Sequence, residues 1–290
     1  MSKTKRCAYL LSALLFLQTP ALAWGDNGHM TVAQIAFNNL TPQKRERAAE
    51  LAALVAFEDN EYEFVTAACW MDDIRDAPMF EPLKDWHFIT QRFIVPANSL
   101  PDAPPPIINA ASVIDWLVDH LRHGEKDPDL KKAFYLAELI HLTGDIHQPL
   151  HGTTRFTPDM PDGDRGGNLF LLSEDAPRAN LHSYWDAGGM LFGNRNVRRP
   201  LSDSGRKSIE KFARDITQVH PKSSMTAAVN QHNPMEWAKE SFKLGKDVVY
   251  VGVKEGTIPD DTYQKKVQET ARRRVALAGY RLAAILNEVL

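Results

Sequence analysis

Apolar side chains recur at steps of three and four residues along most of the chain, which is the spacing of one face of an α-helix. This pattern predicts helices over residues 31–40, 43–56, 64–75, 107–121, 129–147, 181–191, 234–251 and 261–290. Alternation typical of a strand is rare, and it predicts short β pieces only at 86–94 and 168–172. Loops are predicted at 96–106 and 157–167, which are rich in turn-forming residues. The predicted fold class is mainly α, a single helical domain with a few short β pieces.

The first 23 residues have the pattern of an export signal. Three cationic side chains precede an apolar run over residues 9–17, and residues 21–23 form an AxA cleavage signal. Cleavage after Ala23 would make Trp24 the N-terminus. The apolar run is too short to span a bilayer, and no later segment approaches the ~20 apolar residues of a spanning helix. We therefore expect an exported protein, periplasmic or secreted, with no membrane anchor.

Removal of this signal peptide leaves 267 of the 290 residues, enough for one large domain, although length alone also allows two domains of about 130 residues. The mature chain keeps 31 Lys and Arg against 37 Asp and Glu. This balance does not favour a broad basic groove for nucleic acid. Only Cys69 remains of the two cysteines, which excludes an intrachain disulfide. Stability must therefore come from packing or from bound metal.

Histidine and aspartate recur at metal-ligand spacing in the segment HLTGDIHQPLH. His141 and Asp145 are four residues apart on a predicted helix, which places both on one face, and His151 follows six residues later. The same four-residue step recurs at His182 and Asp186. A buried pair of this kind needs a partner, which is either a metal ion or a hydrogen bond between the two side chains. Spacing alone favours metal only modestly.

Further candidates lie in three other segments. WMDDIR contains Asp72 and Asp73 on a predicted helix, DWHFIT contains His87 between two aromatic side chains, and His29 follows Trp24 by five residues. A lone buried histidine is more often a core residue than a ligand, and an aspartate near an arginine is more often part of an ion pair. These candidates carry weight only as a set.

The set, taken in chain order, resembles a known family. The N-terminal Trp, WxDxxR, HF, HxxxDxxxxxH, GGN and NLHxxWD resemble the motifs of the S1/P1 nucleases, which are zinc-dependent, single-strand-specific nucleases and 3′-nucleotidases distantly related to zinc-dependent phospholipase C. The match runs from Trp24 to Asp186, over half of the mature chain. The resemblance implies a mainly helical fold of the phospholipase C and S1/P1 nuclease type, with residues 24–290 forming a trinuclear-zinc nuclease domain.

The resemblance also implies the ligands of three Zn²⁺ ions in one cleft. The first ion is implied to be held by Asp72, His87, His141 and Asp145. The second is implied to be bridged to the first by Asp145 and to be bound by His29 and by the amine and carbonyl of Trp24. The third is implied to be held by His151, His182 and Asp186. The motif register favours Asp72 over Asp73.

Catalytic and substrate-binding roles are implied in the same way. Arg75 would act in catalysis together with Asp72 and Asp145, and Phe88 would stack on a base. The segment Gly166, Gly167 and Asn168 would contact the base. The implied reaction is endonucleolytic hydrolysis of single-stranded DNA and RNA to 5′-phosphate products, with 3′-nucleotidase activity as well. Single-stranded nucleic acid and 3′-nucleotides are thus the expected partners, and no protein partner is predicted.

Two features depart from the family pattern. The better-known secreted members have an aspartate three residues after the HF histidine, where it supports the motif arginine, whereas this chain has Thr90. Those members also use disulfides, which this chain cannot form internally. The substitution puts the anchoring of Arg75 and the base preference in question.

Two alternative functions remain at this point. A zinc-dependent phospholipase C shares the three-zinc design, but such enzymes place the first histidine further from the terminal Trp and end the last pair in Glu, whereas this chain ends it in Asp186. The other alternative is a periplasmic zinc-binding protein, which predicts closed coordination and no cleavage of a phosphoester.

Overall fold

The computed structural model describes residues 24–58, 60–193 and 197–290, so the predicted signal peptide at 1–23 lies outside the described residues. The α-helices of the described ranges are α1 (Asp26–Asn38), α2 (Pro42–Ala52), α3 (Phe64–Ala67), α4 (Trp70–Ile74), α5 (Ala110–His123), α6 (Asp129–Asp145), α7 (Leu181–Asp186), α8 (Asp203–Val219), α9 (Thr226–Val229), α10 (Pro234–Leu244) and α11 (Asp261–Val289). Short 3₁₀ helices occupy Pro78–His87, Pro149–His151 and Lys222–Ser224, and a π-helical turn, Gly245–Val249, extends α10. The predicted mainly α fold is confirmed.

The β structure is limited to two small two-stranded sheets within the described ranges. Strands β1 (Ala56–Phe57) and β2 (Asn60–Glu61) are antiparallel. Strands β3 (Arg92–Ile94) and β4 (Thr154–Phe156) are parallel, with Arg92 opposite Thr154. The parallel pair joins two segments that are distant in sequence and that each lie close to a predicted metal ligand.

Helix α1 forms the centre of the core. It packs most extensively against α11, and also against α8, α3 and α6. Its residues 27–36 are all buried, so this helix is covered on every side. At Gly279 of α11 a Cβ atom would lie only 2.6 Å from the Cβ of Ile35, so glycine is what allows the two helices to approach this closely. The metal candidate His29 is thereby fixed inside the core.

The predicted helices differ from the observed ones mainly at their ends. Helix α1 begins at Asp26, five residues earlier than predicted, because tertiary burial includes polar residues that the apolar pattern omits. The predicted helix 64–75 is divided into α3 and α4 by a turn at residues 68–69. Helix α8 was not predicted, since it buries only a narrow stripe that includes Ile209, Ala213 and Ile216.

The predicted β pieces are only partly correct. Most of 86–94 is not a strand, because the 3₁₀ helix continues to His87 and strand β3 covers only Arg92–Ile94. The prediction for 168–172 is wrong, since this segment contributes only an isolated bridge between Leu171 and Asn180. Among the described residues, every helix is too short or too polar to cross a membrane.

Candidate metal centre

Eight of the predicted ligand side chains come together in one buried region. They are His29 on α1, Asp72 on α4, His87 at the end of the 3₁₀ helix Pro78–His87, His141 and Asp145 on α6, His151 in Pro149–His151, and His182 and Asp186 on α7. Each of these side chains is at most 8% exposed. Elements that are distant in sequence therefore supply a single cluster of imidazoles and carboxylates.

The first group is centred on the Asp145 carboxylate. Its Oδ2 lies 3.1 Å from Nδ1 of His87 and 3.2 Å from Nε2 of His141. These two ring nitrogens are 3.0 Å apart, and Oδ1 of Asp72 is 3.9 Å from each. The other nitrogen of His141, Nδ1, donates to the carbonyl of Ala68 at 2.7 Å. A neutral His141 thus presents the lone pair of Nε2 to the group.

The second group lies on the opposite oxygen of the same carboxylate. Nε2 of His29 is 3.3 Å from Oδ1 of Asp145, and the His29 ring stacks on His141 with centroids 4.2 Å apart. Ligand atoms of His29, Asp72 and His141 lie within 4.8 Å of one another. A Cβ atom at Gly144 would lie 2.8 Å from Nδ1 of His29, so a side chain there would displace this ring. The Asp145 carboxylate accordingly lies between the first and second groups, with one oxygen toward each.

The third group is formed by His151, His182 and Asp186, whose ligand atoms also lie within 4.8 Å of one another. Nδ1 of His151 donates to the carbonyl of His87 at 2.6 Å, and Nδ1 of His182 donates to the carbonyl of Gly166 at 2.6 Å. Because a carbonyl only accepts, both rings carry their proton on Nδ1 and offer Nε2. Nε2 of His182 lies 3.6 Å from Oδ2 of Asp186.

Unpaired buried atoms decide between a metal site and a hydrogen-bonded core. Within the described parts of the chain, Nε2 of His29, Oδ1 of Asp145 and Nε2 of His151 are buried and make no hydrogen bond, even though the first two atoms lie 3.3 Å apart. Leaving such atoms unsatisfied is costly, and direct hydrogen bonds between His and Asp would have avoided that cost. Metal ions among these atoms would satisfy all three, so the residues fit a metal site.

The electrostatics of the cluster also favour cations. Burial opposes charge on His141, but the carboxylates of Asp145 and Asp72 outweigh it and raise its pKa to about 9. Burial raises the pKa of Asp186 well above its ordinary value. The hydrogen bond from Gln148 opposes this rise, whereas the negative charges of Asp72 and Asp145 add to it. Divalent cations reverse both tendencies, because they favour neutral imidazole and ionised carboxylate.

Two neighbouring residues are directed away from the cluster. Asp73 accepts a hydrogen bond from the hydroxyl of Tyr62 at 2.7 Å and forms an ion pair with Arg199. Nδ1 of His147 donates to the Thr143 carbonyl at 2.8 Å, and its Nε2 accepts from Nη1 of Arg281 at 2.9 Å. Of the pair in WMDDIR, it is therefore Asp72 that faces the histidines.

A cleft of about 540 Å³ opens beside the first and third groups. Among its lining residues are Arg75, His87, Phe88, His151, Arg165, Gly166, Asn168 and His182. Nη1 of Arg75 is 3.4 Å from Oδ1 of Asp72. Phe88 is 41% exposed, so it is not an ordinary core residue. The cleft thus joins the cluster to an aromatic face and a guanidinium group.

The GGN segment shapes this cleft through its backbone. Gly166 and Gly167 have φ values of +61° and +80°, which favour glycine, and a Cβ at Gly166 would lie 2.6 Å from the carbonyl oxygen of Leu150. The Asn168 amide donates to the carbonyl of Arg165 at 2.8 Å. The predicted contact of Gly166, Gly167 and Asn168 with a base stays a prediction.

Gln148 is a site residue that the sequence reasoning missed. Its Nε2 donates to Oδ1 of Asp186 at 2.7 Å, and its Oε1 accepts from the backbone N–H of Leu150. This holds the Asp186 carboxylate with Oδ2 toward His182. Its place inside HLTGDIHQPLH, between Asp145 and His151, was the available signal.

The chain brings eight imidazole and carboxylate side chains together beside an open cleft, which is the donor set of a metal-dependent hydrolase. The family model described as S1/P1 Nuclease matches residues 24–290, and the chain belongs to this family. It is therefore an enzyme, a metal-dependent phosphodiesterase that acts as a nuclease.

Curated relatives of similar length agree with this assignment. The chain is 25% identical to Nuclease S1 of Aspergillus oryzae over 295 residues, an alignment that covers 95% of each chain. It is 26% identical to Nuclease P1 of Penicillium citrinum, covering 92% of this chain and 97% of the relative. It is 26% identical to Endonuclease 1 of Arabidopsis thaliana, covering 99% of this chain and 94% of the relative. The whole fold, and not only the motif region, is thus shared.

Proposed function

We propose that the protein is a zinc-dependent endonuclease that hydrolyses single-stranded DNA and RNA to 5′-phosphate products, and that it also removes phosphate from 3′-nucleotides. The observation that carries this proposal is the Asp145 carboxylate, which has His29 at 3.3 Å from one oxygen and His87 and His141 at 3.1 and 3.2 Å from the other. A paired site of this kind, with a third group beside it, suits phosphoester hydrolysis.

Zinc is the proposed metal because neutral imidazoles and carboxylates suit it and because the groups leave positions open to the cleft. Asp72, His87, His141 and Asp145 would hold one ion, Asp145, His29 and Trp24 a second, and His151, His182 and Asp186 a third. Bound zinc supplies Lewis acidity, which lowers the pKa of water and offsets charge on a phosphoryl oxygen. Three divalent ions against three carboxylates leave about three positive charges, so no basic groove is needed.

The residues of the chain itself bind and orient the substrate. Arg75 has a side chain that is 10% exposed at the cleft, where its guanidinium can pair with phosphoryl oxygens and with the charge that develops on the departing 3′-oxygen. The exposed ring of Phe88 offers a stacking surface worth about 1–3 kcal/mol per base. Stacking requires an unpaired base, which accounts for a preference for single strands.

The open cleft also argues against a protein that merely stores zinc, since storage requires closed coordination.

A phospholipase C differs from the proposed nuclease in the substrate that it cleaves, so a panel of substrates distinguishes the two enzymes. We expect the protein with its metals to hydrolyse single-stranded DNA, RNA and a 3′-nucleotide, and to lose all three activities in a chelator. Hydrolysis of phosphatidylcholine alone would favour the phospholipase, and hydrolysis of none of the four substrates would contradict an enzymatic role.

We further propose export with cleavage between Ala23 and Trp24, so that the new α-amine becomes a zinc ligand. Two observations support this placement of the chain start. Trp24 is fully buried, and the backbone N–H of Gly25 donates to the carbonyl of Asp186 at 3.0 Å. The first residue of the proposed mature chain therefore lies beside the end of α7, next to Asp186.

Retention of one extra alanine before Trp24 is expected to remove one of three zinc ions and most of the activity. The extra residue converts the α-amine into an amide, which does not bind zinc in its place. Zinc per chain, measured by plasma mass spectrometry, should be about one ion lower than in protein that begins at Trp24. An unchanged zinc content would remove the α-amine from the set of ligands.

A further inference from the structure

Arg165 occupies an unusual position on the wall of the cleft. Its side chain is exposed, and it lines the same cavity as Arg75, Phe88 and the ligands His151 and His182. Its backbone has φ of +54°, in the left-handed region that a non-glycine residue rarely adopts. Residues strained in this way cluster at active sites and at loops that hold ligands.

The loop that carries Arg165 is firmly held on both sides. The preceding residue, Asp164, is fully buried and accepts hydrogen bonds from the N–H of Arg155 at 3.0 Å and the hydroxyl of Tyr250 at 2.7 Å. The Arg165 carbonyl accepts from the Asn168 amide, and the next carbonyl, that of Gly166, accepts from the ring of His182. The backbone at Arg165 is therefore firmly held. The carbonyl of the next residue, Gly166, orients the candidate ligand His182.

The guanidinium of Arg165 differs in its partners from the other cations on the cleft wall. Across the described ranges no ion pair involves Arg165, whereas Arg75 lies 3.4 Å from Asp72 and Lys84, also on the cleft wall, lies 2.7 Å from Glu81. An exposed cation on a firmly held loop, with no ion pair to any described residue, is suited to an anion from outside. In this cleft the anion to be expected is a phosphate.

We propose that Arg165 binds the phosphate of a nucleotide next to the scissile one, and so makes the enzyme favour oligonucleotides over 3′-mononucleotides. The proposal rests on the proposed nuclease function. The scissile phosphate belongs with Arg75 and the metal cluster, because Arg75 contacts Asp72 and Arg165 does not. A 3′-mononucleotide has one phosphate only, which leaves nothing for Arg165 to bind. Arg165 thus acts in substrate length selection.

The test compares Arg165→Asn with the wild type, both as mature protein with metals bound. Asparagine is chosen because it tolerates the left-handed backbone. We expect the ratio of kcat/KM for a single-stranded DNA dodecamer to kcat/KM for 3′-AMP to fall about fivefold, mainly through KM for the dodecamer. The slope of log kcat/KM for the dodecamer against log salt should become shallower by about 0.7, the value for one phosphate contact to a single strand.

Two further variants show whether the effect comes from the charge of Arg165 at the cleft or from a general change in the protein. Arg165→Lys keeps the charge and should retain the wild-type salt slope. Arg214→Gln removes an exposed cation from α8, outside the cleft, and should leave ratio and slope as in the wild type. An unchanged ratio in Arg165→Asn, or an equal loss on both substrates with an unchanged slope, would overturn the proposal. If the wild type cleaves neither substrate, the nuclease assignment fails first and this proposal fails with it.

Discussion

Replacement of Asp145 by Asn is expected to abolish turnover, with kcat/KM on single-stranded DNA at least about 10³-fold lower, and to reduce bound zinc. The carboxylate is fully buried and faces His29, His87 and His141 at 3.1 to 3.3 Å. Asparagine has nearly the same shape, so packing is kept. It offers one neutral oxygen in place of a charged pair, and so cannot connect two cations.

The matched control is Asp73→Asn, one residue from Asp72 on the same helix. Asp73 pairs with Arg199 and Tyr62 and contacts none of the metal groups. This variant should therefore retain its zinc, although it loses some stability. Zinc per chain and the rate of hydrolysis are measured on both variants. A wild-type rate in Asp145→Asn would rule out the bridging role of this carboxylate.

Removal of all zinc by a chelator is expected to lower Tm by more than roughly 10 °C as well as to abolish activity. Each ion that binds only the folded chain adds about 2.7 kcal/mol when its free concentration is about 100-fold above Kd. For a chain of this length each kcal/mol corresponds to about 2–4 °C in Tm. Without metal the buried atoms of His29, Asp145 and His151 have no partner, and the one described cysteine, Cys69, is free and forms no disulfide that could compensate.

Scanning calorimetry with and without chelator checks this expectation. Restoring zinc should return both Tm and activity, whereas Mg²⁺ should not, because it prefers oxygen ligands in octahedral geometry. A Tm that is unchanged after complete loss of zinc would mean that the cluster is stable without cations, which contradicts the interpretation of its unpaired atoms.

Local patterns predicted those parts of the fold in which one sequence segment determines its own structure. The spacing of His141 and Asp145 placed both on one face of a helix, and α6 does carry both toward the same centre. Helix α8 was missed because its buried stripe is narrow, and the pairing of β3 with β4 was missed because it joins residues about 60 apart in sequence.

In the candidate site, too, the spacing within a segment was predictable, whereas contacts between distant segments were not. The convergence of His29 with α6 depends on the burial of α1 and on the absence of a side chain at Gly144, neither of which the spacing of residues reveals. Only the family resemblance brought this histidine into the same cluster. The place of Gln148 inside HLTGDIHQPLH was a local signal, but its hydrogen bond to Asp186 is seen only in the folded chain. The same holds for the position of Arg165 on the cleft wall.

Anomalous diffraction at the zinc absorption edge, from crystals of the exported protein, tests the central claim most directly. We expect three peaks in one cleft: one among Asp72, His87, His141 and Asp145, one between Asp145 and His29 at the chain start, and one among His151, His182 and Asp186. A single peak, peaks away from these side chains, or no zinc in active protein would contradict the account.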